Sequence, residues 1–238
     1  MFIKNIAKTI LNKIVYPHKY NNDAFCTFLR SKGAVIGNNT RFVAPKKTLI
    51  DEARLDYISI GDNCCFSHVT IMAHDYSWYI LKEAYEKILP DPGGEVHIGN
   101  NVFVGYQAVI LKGTTIGDNC IIGARAVVKG NIPSNTVWAG IPARQICTLD
   151  DYYNRRLDSE IKDAKYRRNH IRYKYNREPT IQEMAFFGFL FLERTEDNYN
   201  QYLYNLEFNG IKNDPSIKSL FFNTKPRFDS FEDFLKQE

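Results

Sequence analysis

The chain has 238 residues, 44% of them hydrophobic and 24% charged, which is enough apolar material for a folded core and excludes wholesale disorder. Its 31 Lys and Arg against 27 Asp and Glu leave a formal charge of +4, too small an excess to demand nucleic acid as a partner. The five cysteines, Cys26, Cys64, Cys65, Cys120 and Cys147, are odd in number and lack C-x-x-C spacing, so a disulfide framework and a zinc or redox pair are both disfavoured and a reducing cytoplasm suits them.

Residues 2–14 set Phe2, Ile3, Ile6, Ile10 and Ile14 near helical spacing, with Lys4, Lys8 and Lys13 on the rest of the circumference. This predicts an amphipathic helix within an N-terminal cap over residues 1–32, lying on exposed core or on a membrane surface. The segment lacks the continuous apolar run and small-residue cleavage site of a secretory signal. Nowhere does the chain reach the roughly 20 apolar residues of a membrane span.

A repeat begins near residue 33. In AVIGNNTRFVAPKKT and SIGDNCCFSHVTIMAHD, Ile36 and Ile60 lie 24 residues apart, with Phe42 and Phe66 in the same phase. After Phe66 the pattern slips by one residue, so that Ile71 rather than Met72 is the inward side chain. Between about Ala73 and Val96 it breaks altogether. There DYSWYILKEAYEKILPDPGGE is aromatic, charged and finally rich in Pro and Gly, which predicts a protruding loop over 73–97. Long loops inside regular repeats tend to carry function.

The repeat returns in IGNNVFVGYQAVILKGTTIGDNCIIGARAVVKG, with an aliphatic residue at every sixth position: Ile98, Val104, Ile110, Ile116, Ile122 and Val128. Glycine follows directly at Gly99, Gly105, Gly117 and Gly123. The fifth position is small or β-branched, at Val102, Ala108, Thr114, Cys120, Ala126 and Ile132. A helix would spread six-spaced residues around its circumference, and a two-faced strand needs period two. A short strand and a bend, repeated, satisfies both beats, with the glycines expected to supply the positive φ of the bends. Three such hexads make one triangular coil.

From Asp150 the pattern becomes helical. DDYYNRRLDSEIKDAKYRRNHIRYKYNREP is highly charged and stopped by Pro179, Thr180 and Glu183 form a capping box ahead of AFFGFLFL, and a further short helix starts at Ser230. Lys165 to Arg177 holds six basic residues and no acidic one, interleaved with Tyr166, Tyr173 and Tyr175. An anionic glycan or stacked RNA would suit it, but a solvated helix face is the simpler reading.

Over roughly residues 33–147 the sequence resembles the hexapeptide-repeat acyltransferases, which include galactoside, serine and polysaccharide O-acetyltransferases. The I-G-x-x hexads, the histidine opening the loop in MAHDYSW and the closing segment NIPSNTVWAGIPARQI carry the likeness. The resemblance implies a left-handed parallel β-helix of residues 33–147, which together with the N-terminal helix and the α-helical extension over 148–238 read from the residue pattern makes a mainly β fold. It also implies a homotrimer with active sites between subunits, acetyl-CoA as co-substrate and a carbohydrate acceptor, with no metal; the small net charge separately leaves no nucleic acid expected. The handedness comes from the resemblance alone, because parallel crossovers ordinarily run right-handed.

Acetyl transfer from a thioester needs a base for an alcohol that does not ionise at neutral pH, and imidazole is suited to it. His74 matches the family's catalytic histidine, and its neighbour Asp75 is a candidate to orient the ring. Asp56 matches an acceptor-contacting position in some relatives, and Tyr76 and Trp78 are candidate platforms for a sugar ring. The resemblance carries coenzyme contacts onto Phe103, Tyr106, Ala124, Lys129 and Arg144, of which the two cations suit phosphates. Phe103 stands where relatives often have tryptophan, which keeps the apolar wall and loses the indole N–H.

The expected function is acetyl-CoA-dependent O-acetylation of a polysaccharide or glycan precursor by direct transfer. The alternative is N-acetylation of an amino sugar nucleotide, and the short segment before the first hexad favours the hydroxyl. His68, His74 and His97 together raise a zinc hydratase resembling carbonic anhydrase, against which the loop and the AGIPAR ending weigh. A non-catalytic scaffold is a third class, opposed by the intact histidine loop. Cys64, at a small-residue position, and Cys65 are read as structural, and no G-x-S-x-G marks a hydrolase serine.

Overall fold

A computed structural model gives the structure of the chain and describes residues 11, 13–208, 211–212 and 214–237. The helix expected over 2–14 lies outside these residues except at 11, 13 and 14, which are helical. The chain forms two compact units, Met1–Tyr152 and Tyr153–Glu238, and the division falls inside one long helix.

In the first unit α1 (Asn22–Ser31) is capped by Asn21, whose side chain accepts from the Ala24 N–H at 2.9 Å. It turns Phe25, Cys26 and Leu29 inward, and the Phe25 ring meets Phe42 edge-on at 5.1 Å, closing one end of the core. The chain then winds into coils of three short strands. The first coil is β1 (Val35–Ile36), β2 (Arg41–Phe42) and β3 (Leu49–Ile50), and the second β4 (Ile58–Ile60), β5 (Cys65–Phe66) and β6 (Thr70–Ile71). After a loop that carries the short helix α2 (Trp78–Tyr85) come β7 (Val96–Ile98), β8 (Phe103–Val104) and β9 (Val109–Ile110). The fourth coil is β10 (Thr114–Ile116), β11 (Ile121–Ile122) and β12 (Val127–Val128), followed by β13 (Asn131–Ile132), β14 (Thr136–Gly140) and β15 (Ala143–Thr148).

From β1 to β14 every third strand pairs in parallel with its counterpart one coil on, giving three sheets that wall a triangular core, and β15 folds back antiparallel on β14. Ile36, Ile60, Ile98, Ile116 and Ile132 form one inward file, and Ile50, Ile71, Ile110 and Val128 another. The third runs through Phe42, Phe66, Val104 and Ile122, with the Phe42 and Phe66 rings stacked at 4.9 Å. All of these residues are buried. The domain is a parallel β-helix, and the slip read after Phe66 is present, since Ile71 pairs with Ile50 and Ile110. Its cause is a corner one residue short, turned by His68 at φ 54.

Two details depart from the sequence reading. Ile132 belongs to the inward file beside Ile116 rather than to a fifth position, because the corner after Val128 is shortened. The glycines of the hexads also do a different job. Positive φ falls two residues later, at Asn101, Gln107, Asn119 and Arg125, where asparagine tolerates it best. The glycines are needed because the coils touch there: a Cβ on Gly105 would lie 2.6 Å from the Ala124 backbone nitrogen. The asparagines then form a ladder, Asn101 Nδ2 donating to Asn119 Oδ1 and Asn119 Nδ2 to Asn135 Oδ1, each at 3.0 Å.

The second unit contains most of α3 (Leu149–Tyr175) and a separate aromatic core around Phe191, Phe221 and Phe234. The expected capping box is formed, with Thr180 N–H donating to Glu183 Oε2 at 2.9 Å and Glu183 N–H to Thr180 Oγ1 at 3.3 Å. The box opens a 3-10 helix, Gln182–Leu190, rather than an α-helix, and this segment buries Met184, Ala185, Gly188 and Leu190. Ser230 caps the helix Phe231–Leu235 as its sequence predicts.

The basic run of α3 is not a uniformly solvated face. Arg168 is 2% exposed and its Nη1 donates to the carbonyls of Phe234 at 3.0 Å and Gln237 at 2.6 Å, while Arg172 Nη2 reaches the Leu235 carbonyl at 2.7 Å. These arginines supply donors to a helix end whose last carbonyls have no partner within the helix. Arg168→Met is expected to lower the stability of this unit by about 1–3 kcal/mol, seen as a lower urea midpoint in the full chain. An unchanged midpoint would mean that water replaces the guanidinium without loss.

Candidate active site

The protruding loop leaves the coil after Ala73 and returns at Gly94, whose N–H donates to the Ala73 carbonyl at 2.8 Å. His74 is therefore the first residue outside the regular ladder. Its ring is fixed from the preceding coil, because the pairing of Ile50 with Ile71 carries Asp51 alongside the start of the loop. Asp51 Oδ2 bonds His74 Nδ1, and the same carboxylate accepts the N–H of Ala73 at 3.1 Å and, through Oδ1, that of Ala53 at 3.3 Å. The Asp51 side chain is 3% accessible and that of His74 16%, so the acid is sealed behind the imidazole while the ring keeps an open edge.

That edge faces a cavity of about 440 Å³ lined by Ala53, Arg54, His74, Asp75, Tyr76, Trp78, Ile88, Pro90 and Asp91. Tyr76 stands edge-on to the imidazole at 4.7 Å and is largely exposed, and Trp78 opens α2 across the cavity wall. Both residues named from the sequence as candidate platforms thus line this cavity. No residue of α2 is buried, so the helix holds its place through the loop's ends rather than through a core of its own.

Asp75 does not orient the imidazole. Its carboxylate pairs with Lys112 and accepts from Ser77 through the N–H at 3.0 Å and the hydroxyl at 2.6 Å. Lys112, from the turn after β9, also reaches Asp91 Oδ1 at 2.7 Å, and Asp91 Oδ2 accepts the Asp75 N–H at 2.8 Å. One ammonium thus ties the loop's first and last turns together. It holds the carboxyls of Asp75 and Asp91 below the usual range, and they in turn raise Lys112. With depressed carboxylate values, the tie is present above the ordinary Asp range and is lost as pH falls through the lower, folded values. Lys112→Met is expected to speed proteolysis within residues 76–90 by about fivefold or more, with the β-helix left intact, as local opening governs cleavage. Equal cleavage rates would show that α2 is held by other means.

Asp56 lies outside the cavity lining, in the 3-10 turn Leu55–Tyr57, with its Cβ towards Gly33. Arg54, Ile88, Pro90 and Asp91 line it without having stood out in the sequence. The coenzyme candidates sit elsewhere on the coil. Tyr106 and Ala124 share one corner of successive coils, where the Arg125 N–H donates to the Tyr106 carbonyl at 2.8 Å. Phe103 is half exposed on the outer face of β8. Lys129 is exposed at the next corner, after β12, and Arg144 is exposed on β15 with Nη1 donating to the Ala143 carbonyl at 2.9 Å. None of the five lines the His74 cavity.

The remaining histidines of the β-helix are committed separately. His68 turns the shortened corner, edge-on to Tyr106 at 5.1 Å. His97 lies on the first sheet, its Nε2–H donating to Glu95 at 2.7 Å and its Nδ1 accepting from Ser59 at 2.7 Å. His68, His74 and His97 therefore occupy different faces of one chain. Burial raises the thiols of Cys64 and Cys65, which opposes a nucleophilic role for either.

The sequence model of the bacterial transferase hexapeptide family (six repeats) matches residues 95–130. Protein CapG of Staphylococcus aureus is 33% identical over 133 residues, 55% of this chain and 75% of its own length. The chain belongs to the hexapeptide-repeat, left-handed β-helix acyltransferase family. The putative acetyltransferase YvoF of Bacillus subtilis is 31% identical over 56% of this chain and 70% of its own. The galactoside O-acetyltransferase of Escherichia coli is 36% identical over 44% of this chain, which spans about half, 49%, of that relative's length. Among the described residues of this hexapeptide-repeat protein, no helix is long and apolar enough to cross a membrane.

Proposed function

We propose that this protein transfers an acetyl group from acetyl-CoA to a hydroxyl of a sugar in a polysaccharide or glycan precursor, with His74 as general base. The observation that carries the reading is the pairing of His74 Nδ1 with the buried Asp51 carboxylate at the mouth of the cavity. An ionised carboxylate only accepts hydrogen bonds, so Nδ1 carries the proton and the Nε2 lone pair of the neutral ring is left free.

His74 Nε2 takes the hydroxyl proton as the sugar oxygen bonds to the thioester carbonyl carbon. It returns that proton to the departing sulfur when the carbon–sulfur bond breaks. Asp51 stabilises the imidazolium formed in between, and no side chain is acylated. Acetyl-CoA supplies the activated acetyl group and a thiol leaving group. Tyr106 and Ala124 would flank its arm, and Lys129 and Arg144, which make no ion pair among the described residues, would meet its phosphates. Because these residues occupy separate corners of one chain, the reading includes a trimer in which neighbouring subunits complete each site.

The test is release of free thiol from acetyl-CoA with mono- and oligosaccharides offered as acceptors. Turnover on hydroxyl sugars supports the reading; silence on them with turnover on amino sugars would replace it with N-acetylation.

A further inference from the structure

Besides the Tyr76 phenol, the walls of the His74 cavity carry four ionisable side chains, and three of them are committed. His74 is bound to Asp51, and the oxygens of Asp75 and Asp91 are occupied by the Lys112 ammonium, Ser77 and the Asp75 N–H. The fourth is Arg54. It is half-buried, yet among the described residues its guanidinium makes no ion pair and no hydrogen bond, and it lies over the face of Tyr57, 5.7 Å from Cζ to the ring centroid. Acidic neighbours in sequence leave it alone: Glu52 pairs with Lys19 at 3.2 Å, and Asp56 lies towards Gly33.

A guanidinium has five N–H donors in a planar fork and stays charged at any physiological pH. Drawing it half out of water without a partner is unfavourable unless something else meets those donors. Its position is fixed by the same turn that fixes the dyad, since the Arg54 N–H donates to the Asp51 carbonyl at 3.1 Å while Asp51 holds His74. The Tyr57 ring holds the guanidinium from one side while Arg54 lines the cavity.

Building on the transferase reading, we infer that the acceptor carries an anionic group, a carboxylate or a phosphate, which Arg54 grips while a hydroxyl of the same glycan is offered to His74. Charge-assisted, bidentate bonding is the strongest polar contact this wall can make. Arg54 thereby sets which sugars enter the cavity.

The test compares glucuronate, glucose 1-phosphate and glucose, with wild type, Arg54→Gln and Arg54→Lys. Binding is measured by calorimetry without acetyl-CoA, and turnover by thiol release. At least one charged sugar is expected to exceed glucose by about tenfold in affinity and in kcat/KM, with carboxylate and phosphate told apart by which one gains. Arg54→Gln should remove that ratio, and Arg54→Lys, which keeps the charge and loses the fork, should retain part of it. Equal treatment of charged and neutral sugars by wild type overturns the inference. So does a ratio that survives Arg54→Gln, or a rise in the KM of acetyl-CoA in its place, which would assign the guanidinium to the coenzyme. Arg54-dependent binding without any turnover upholds the anion site and takes down the transferase reading; turnover without charge preference does the reverse.

Discussion

His74→Ala is expected to lower kcat by about 10²–10⁴-fold while acetyl-CoA binding changes by no more than about twofold. The expectation rests on where the ring sits. It leaves the ladder just after Ala73, bears on the cavity through an open edge, and none of the residues matched to coenzyme contacts shares that cavity. Methyl in place of imidazole removes the proton acceptor and leaves the coil's inward files untouched. Equilibrium binding of acetyl-CoA and thiol release on the same preparation separate the two effects. Loss of both together would place the histidine in the coenzyme site instead.

Asp51→Asn is expected to cost about 10²-fold or more in kcat, through the ring rather than through the substrate. A carboxylate fixes the proton on Nδ1, whereas a carboxamide can turn its NH₂ towards that nitrogen and leave the proton on Nε2, where the base is needed. The substitution is nearly isosteric and keeps acceptors for the N–H groups of Ala53 and Ala73 only in part, so a small loss of stability accompanies it. The distinguishing readout is the pH profile. A wrong tautomer is not corrected by raising pH, so the deficit should persist at alkaline pH; a purely structural change would leave the shape of the profile and the kcat as they are in the wild type. The KM for the acceptor should move less than kcat.

The repeat is legible in sequence because it is built from local chemistry. Ile98, Val104, Ile110, Ile116, Ile122 and Val128 face inward at every sixth residue in the regular coils, and the same rule reaches back to Ile36, Phe42, Ile60 and Phe66. His74 stands out because it ends that pattern. Asp51 does not, since its contact with His74 depends on register between two irregular coils: Ile50 and Ile71 pair across 21 residues, where Ile110 and Val128 pair across 18. Counting hexads forward from Ile36 misses that offset. The available signal is an acid directly after an inward residue, one coil before the loop histidine. Asp75 draws notice by adjacency, but Lys112 from a later coil claims it, and that lysine is hidden in the repeat as an ordinary corner residue. The six-residue beat shows that the hexad glycines are necessary and suggests a torsional reason, whereas contact between coils at Gly105 is the actual one. The Arg168 contacts escape a sequence reading because the residues they join are over 60 apart in the chain.

The central claim is that Asp51 and His74 act as one unit that removes the acceptor's proton, and a double-variant cycle on kcat tests it most directly. If they do, Asp51→Asn combined with His74→Ala costs no more than His74→Ala alone, because the acid has nothing left to orient. Losses that multiply in the double variant would contradict the account and assign Asp51 a role independent of the imidazole.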